Sequence, residues 1–201
     1  LAAVVWPRPS AAQEPIAHSL YWLIHDVPRI ILVLYVIQRS GEPWSQFGLV
    51  RPRIWLDGLL WFLTNSAKRY ITSPAVTFLF ELLGTHPDRS AARSWRVLVH
   101  PPTGAFEISF DVIATCASAF FEELFFRAYL IPRLAVLTGS WIAGLLLSSV
   151  LFGLVHMYQG AEGLISTSLS GLLWGTVFCL TRRIWPVFLA HAAINLWNSY
   201  H

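Results

Sequence analysis

Three short stretches carry residue types and spacings that could hydrolyse an amide bond. "FFEELFFRAYL" holds Glu122, Glu123 and Arg127; "LFGLVHM" holds His156; "FLAHAAINLW" holds His191 and Asn195. A carboxylate or an imidazole can take a proton from water. An imidazole or amide N–H can stabilise the oxyanion that then forms. All of these residues sit in otherwise oily runs. There an ionisable group costs about 2.5 kcal/mol or more on insertion scales, and by default it marks a function.

Helical geometry divides the labour. Glu123 and Arg127 are four apart and share a face, with Glu N-terminal to Arg, the better order. Glu122 points about 100° away. Arg127 is therefore expected to neutralise Glu123, leaving Glu122 free for chemistry. The plainer alternative is an ion pair plus one carboxyl facing a watery loop. Phe152 and His156 are also four apart, and a lone histidine in a helix is more often a packed residue or an interhelical donor. His191 and Asn195 are again four apart, and alone they read as a polar pair joining helices, with Ala192 and Ala193 permitting close approach. Taken together, the stretches lie on three separate helices whose polar side chains must face a bundle interior. Glu122, His156, His191 and Asn195 are expected to converge in one buried, hydrated pocket.

The elements that must position them read as membrane helices. Of 201 residues, 55% are hydrophobic and 12% charged, against about 25% charged in ordinary soluble domains. Mean hydropathy is +0.55. The ten tryptophans suit interfacial belts. The net charge of +3 comes from scattered arginines, which reads as topology and headgroup contact and excludes a nucleic-acid surface. Cys116 and Cys179 read as structural thiols in apolar runs. A first oily run, 16–37, is interrupted by "HDVPR" and reads as a poor span. Shorter runs at 54–63 and 71–83 are split by "TNSAKRY" and read as one or two helices. A polar, Arg-rich connection over 84–104 forms the clearest boundary. After it come runs at 106–131, 140–158, 163–180 and 184–199. Each can supply the ~20 residues that cross a bilayer core, and in lipid they must be helical. The expected fold is all-α: a polytopic transmembrane bundle of about six to eight helices with a four-helix catalytic core. Residues 1–105 are the accessory portion and 106–201 the catalytic portion of one membrane domain. "TRR" (181–183) reads as a cytoplasmic connection and "YQGAEG" as an external one.

The three stretches, in order and complete, resemble the motifs of the CAAX-protease and bacteriocin-processing (CPBP, or Abi) family of intramembrane proteases. "EELFFR" is similar to its EExxxR motif, "FGLVH" to FxxxH and "HAAIN" to HxxxN. The resemblance covers about 106–199 in detail, and "GEPWSQFGL" resembles the connection after the family's first helix. It implies an endopeptidase cutting near the membrane surface. By that resemblance Glu122 would act as general base on a water together with His156, His191 and Asn195 would form the oxyanion hole, and Glu123 and Arg127 would support the site. It implies a multi-pass protein of a membrane, with a bacterial plasma membrane the expected location, and membrane lipids and a peptide or membrane-protein substrate as partners. No cofactor is expected. The alternative is zinc held by Glu122, His156 and His191, a donor set typical of catalytic zinc; the Glu–Glu–Arg cluster argues against adding a dication.

Other arrangements are missing. There is no H-E-x-x-H and no CxxC, and Ser168 in "SLSG" stands where a rhomboid-type serine motif needs glycine. Glycines around 139–175 read as sites of close helix packing. Two further functions remain open. One is a non-catalytic scaffold of bacteriocin-immunity type, which loss of a motif residue would favour. The other is a small proton-relay transporter, which predicts inverted repeats that the chain lacks.

Overall fold

The computed structural model describes residues 15–84 and 102–200. Most of the 84–104 connection lies outside them. The described residues are all-helical. They form α1 (Pro15–Arg39), α2 (Ile54–Ala67), α3 (Ser73–Leu82), α4 (Ala105–Glu123), α5 (Ile131–Thr138), α6 (Trp141–Val155), α7 (Gly160–Thr181) and α8 (Trp185–Tyr200). Two π-helical segments, Lys68–Thr72 and Leu124–Leu130, join α2 to α3 and α4 to α5 without a break. The eight helices are thus six continuous rods.

Several segments differ from the sequence reading. The first run is not interrupted: α1 continues through Pro28. Asp26 is 1% exposed on its inner face and ion-pairs with Arg29 at 3.3 Å. A single charge on the packed face of a helix against α4 does not break it. The polar "TNSAKRY" is likewise helical throughout: Thr64 and Asn65 bond back to the Leu60 and Trp61 carbonyls, Lys68 reaches Ser170, and Arg69 and Tyr70 lie on the exposed side. The run at 140–158 ends early. His156 caps α6 with φ −97° and ψ 8°, and a 3₁₀ turn, Met157–Gln159, follows.

Two helical stretches, Pro15–Arg39 and Met157–Thr181, are long and apolar enough to cross a bilayer. α6 has 15 residues and α8 has 16, shorter than the twenty or so expected of each run. The outer surface is nonetheless oily. Trp55 is 91% exposed, Leu180 80% and Ile142 71%. Apolar exposure on this scale marks contact with lipid or partners.

The core lies where α4, its π-helical continuation, α6, α7 and α8 meet. It includes Leu124, Phe126, Phe152, Trp174, Phe178, Ile184 and Val187. α6 and α7 approach closely because of Gly153. A Cβ there would stand 1.8 Å from Ser168 Oγ and 2.7 Å from the Leu164 carbonyl oxygen, so only glycine fits. The N-terminal half is tied to the start of α8 by a loop over 48–53. Ile184 N–H donates to the Gly48 carbonyl at 3.1 Å, and Trp185 Nε1 donates to the Val50 carbonyl at 2.6 Å. Gly48 has φ +69°, and a Cβ on it would meet the Phe178 ring at 2.5 Å. Arg183 completes the tie through Asp57, at 2.6 and 2.8 Å, and through the Arg51 carbonyl at 2.9 Å.

Candidate active site

α4 delivers Glu122 and Glu123 on its last turn, and the π-helical segment delivers Arg127. A π-helical turn disturbs the i→i−4 ladder and is frequent at functional sites. Here the Phe126 carbonyl is bonded from another helix, by Ser148 Oγ of α6 at 2.7 Å. Glu123 and Arg127 face each other at 3.1 Å and are 0% and 1% exposed. The guanidinium also lies over the Phe152 ring, 4.1 Å from its centroid, a cation–π contact strengthened by burial.

Glu123 does a second thing that the sequence did not disclose. Its Oε1 receives His191 Nδ1 at 2.8 Å. One fully buried carboxylate therefore links α4 to α8. Trp174 of α7 backs the same imidazole, ring to ring at 4.6 Å, and Phe152 meets it edge-on at 6.0 Å. His156 is fixed differently. Its Nδ1 bonds the Phe152 carbonyl at 2.8 Å. A carbonyl only accepts, so that nitrogen carries the proton.

With both Nδ1 atoms engaged, both Nε2 atoms turn to Glu122. His191 Nε2 lies 3.7 Å from Glu122 Oε2, and His156 Nε2 lies 3.9 Å from it. Among the described residues that oxygen is buried and has no hydrogen-bond partner. The distances are too long for direct hydrogen bonds, and contacts of this length invite a bridging water. Glu122 keeps 21% side-chain exposure while Glu123 keeps none, so the two adjacent carboxylates differ in access. Asn195 sits one helical turn beyond His191 on α8, half-buried. No hydrogen bond of its side chain is found among the described residues.

Glu122, His156 and His191 are the donor set a metal would use. The residue types suit zinc, and Nδ1-anchored imidazoles are the usual zinc ligands. The spacing does not suit it. Separations of 3.7 and 3.9 Å exceed the edge of about 3.4 Å that tetrahedral zinc bonds imply. Among the described residues no group of three His, Cys, Asp or Glu side chains could hold a metal ion.

Three supporting residues escaped the sequence reading. Asp57 and Arg183 hold the start of the helix that carries His191. Lys68 reaches α7 from the first π-helical segment, where its Nζ donates to Ser170 Oγ at 3.0 Å. In the sequence "TRR" reads only as a topology signal and "TNSAKRY" only as a break. A lone charge, whether in a polar connection like Lys68 and Arg183 or inside an oily run like Asp57, gives no spacing by which a distant partner could be found.

Residues 104–197 match the family model of the type II CAAX prenyl endopeptidase Rce1-like proteins. The matched segment, just under half of the chain, contains all three stretches. No curated protein and no solved structure matches the chain. The match supports an endopeptidase of the CAAX-protease kind and, with the two long apolar helices, a membrane protein.

Proposed function

Because residues 104–197 match the Rce1-like family model, we propose that the chain is a multi-pass intramembrane endopeptidase that hydrolyses a peptide bond with a water activated by Glu122 and His156. The observation that carries this reading is the convergence of two Nε2 atoms on one carboxylate oxygen, Glu122 Oε2, that has no hydrogen-bond partner among the described residues. Water placed among them is deprotonated by Glu122 and oriented by the Nε2 lone pair of His156. It attacks the scissile carbonyl, and the leaving amine takes up the proton from Glu122.

His191 and Asn195 receive the oxyanion. A donating Nε2–H on His191 requires both its ring nitrogens to be protonated, since Nδ1–H already serves Glu123. Glu122 and Glu123, one against each nitrogen, balance that charge, and Arg127 balances the second carboxylate. A cluster of two anions and two cations is neutral, which a low-dielectric site demands. Glu123 and Arg127 are positioning residues: they hold the imidazole and do not meet substrate. Residues 1–105 act as the accessory portion, tied to α8 through Asp57 and Arg183, and 106–201 act as the catalytic portion. Partners are membrane lipids and a peptide or membrane-protein substrate. The proposed location is a bacterial plasma membrane.

The reading needs no cofactor. Purified protein in liposomes should release product from an S-prenyl-cysteine peptide, identified by mass, and should do so equally after stringent chelation. Absence of product across substrate libraries would support the non-catalytic scaffold. A stoichiometric metal on His156 and His191 in active protein would establish the zinc reading.

A further inference from the structure

Lys68 is a charged side chain that the N-terminal half sends toward the catalytic helices and that the mechanism leaves unused; Asp26, which also faces them, is already paired with Arg29. The segment Lys68–Thr72 is π-helical and packs on α7. From there Lys68 Nζ bonds Ser170 Oγ at 3.0 Å and lies over the Trp174 ring, 5.0 Å from its centroid. Both partners are neutral. Among the described residues no carboxylate lies within 4 Å of it, whereas Arg29, Arg127, Arg133 and Arg183 each have one. Lys68 is close enough to His156 and Arg127 to interact with both electrostatically. A poorly solvated ammonium facing an indole and a hydroxyl is an incomplete ion pair, and such a charge is costly until an anion reaches it.

The geometry points to a carboxylate of the bound substrate as that anion: we propose that Lys68 is a specificity-determining residue that receives a carboxylate on one side of the scissile bond. This rests on the protease reading for its context. Trp174 sets the reach. Its ring is 5.0 Å from Lys68 Nζ and 4.6 Å from the His191 ring, so cation and imidazole are at most about 10 Å apart, which about three extended residues span. The carboxylate therefore lies within about three residues of the cut. Two sources offer this chemistry, the chain terminus of a short tail and an acidic side chain in a longer one.

The test uses the full chain in nanodiscs and three fluorescent S-prenyl-cysteine peptides with three residues after the cysteine. One ends in a free carboxylate, one in a carboxamide, and one in a carboxamide with aspartate as its last residue. Binding is measured on Glu122→Gln, which needs no turnover, and cleavage on the wild type. The expected result is at least tenfold tighter binding of one carboxylate peptide than of the neutral peptide, with loss of that ratio in Lys68→Met and its partial return in Lys68→Arg. Preference for the free terminus identifies a tail-end carboxylate, and preference for the aspartate peptide identifies a side chain. Equal binding of all three peptides, or a ratio that survives in Lys68→Met, overturns the proposal. If Lys68→Met does not fold, Lys68→Gln takes its place in the same comparison. Carboxylate-dependent binding without any cleavage would sink the protease reading and leave the Lys68 site standing.

Discussion

Arg183→Met removes the strut between the two halves of the chain, and the structure gives the size of the effect. The guanidinium makes two bonds to Asp57, at 2.6 and 2.8 Å, and one to the Arg51 carbonyl at 2.9 Å. The two side chains are only 10% and 4% exposed. Removing one partner of a buried pair costs about 3–5 kcal/mol, because the other charge is stranded. Asp57 keeps one donor, the Arg53 N–H at 2.7 Å, which places the loss near the lower limit. About 3 kcal/mol in a chain of this length corresponds to a fall in Tm of about 6–12 °C. The double variant Asp57→Asn/Arg183→Met strands no charge and should lose less than the sum of the two single variants. Tryptophan fluorescence on heating in detergent gives all four corners of the cycle. Cleavage should fall as well, because Ile184 and Trp185 beside the strut begin the helix that presents His191. A Tm within about 2 °C of the wild type, or strict additivity in the cycle, would refute the claim that this pair fastens α8.

Three further outcomes are expected. Gly153→Ala forces a methyl against Ser168 Oγ and the Leu164 carbonyl; overpacking of this kind costs about 1–3 kcal/mol, and the displaced Phe152 and His156 should lower kcat in the peptide assay. Arg127→Met leaves Glu123, among the described residues, with His191 as its one cationic partner, and should depress kcat much more than KM, since neither Arg127 nor Glu123 meets substrate. Hydrogen bonds from Arg133, at 3.0 and 2.6 Å, hold the Glu42 carboxyl below its usual range. Because the folded value is depressed, the contribution is complete above the unfolded value near 4.5 and vanishes as pH falls through the folded one. The pair is partly exposed and should be worth no more than about 1 kcal/mol, so the small Tm gap between wild type and Glu42→Gln at pH 7 should close on acidification.

Local spacing was legible where one helix supplies both partners. Glu123 and Arg127 needed only the repeat of the α-helix, and the order and completeness of the three polar stretches carried the family resemblance. Contacts between helices were not legible. Nothing in "EELFFR" or "HAAIN" shows that Glu123 reaches His191, since that bond depends on how α4 and α8 lie together. Backbone irregularities were equally hidden. The turn that delivers Arg127 is π-helical, and His156 caps α6 instead of lying within it, because such local choices are settled by packing against Ser148 and α7. Asp26 and Lys68 looked like interruptions, because a window of hydropathy cannot distinguish an inward charge from an outward one.

The central claim is that Glu122, and not its buried neighbour, activates the water. The most direct test is cleavage of a peptide by reconstituted Glu122→Gln, normalised to folded protein. General-base loss should lower the rate about 100-fold or more while Tm stays close to that of the wild type, since Glu122 Oε2 has no partner to lose among the described residues. A rate within twofold of the wild type would contradict the account.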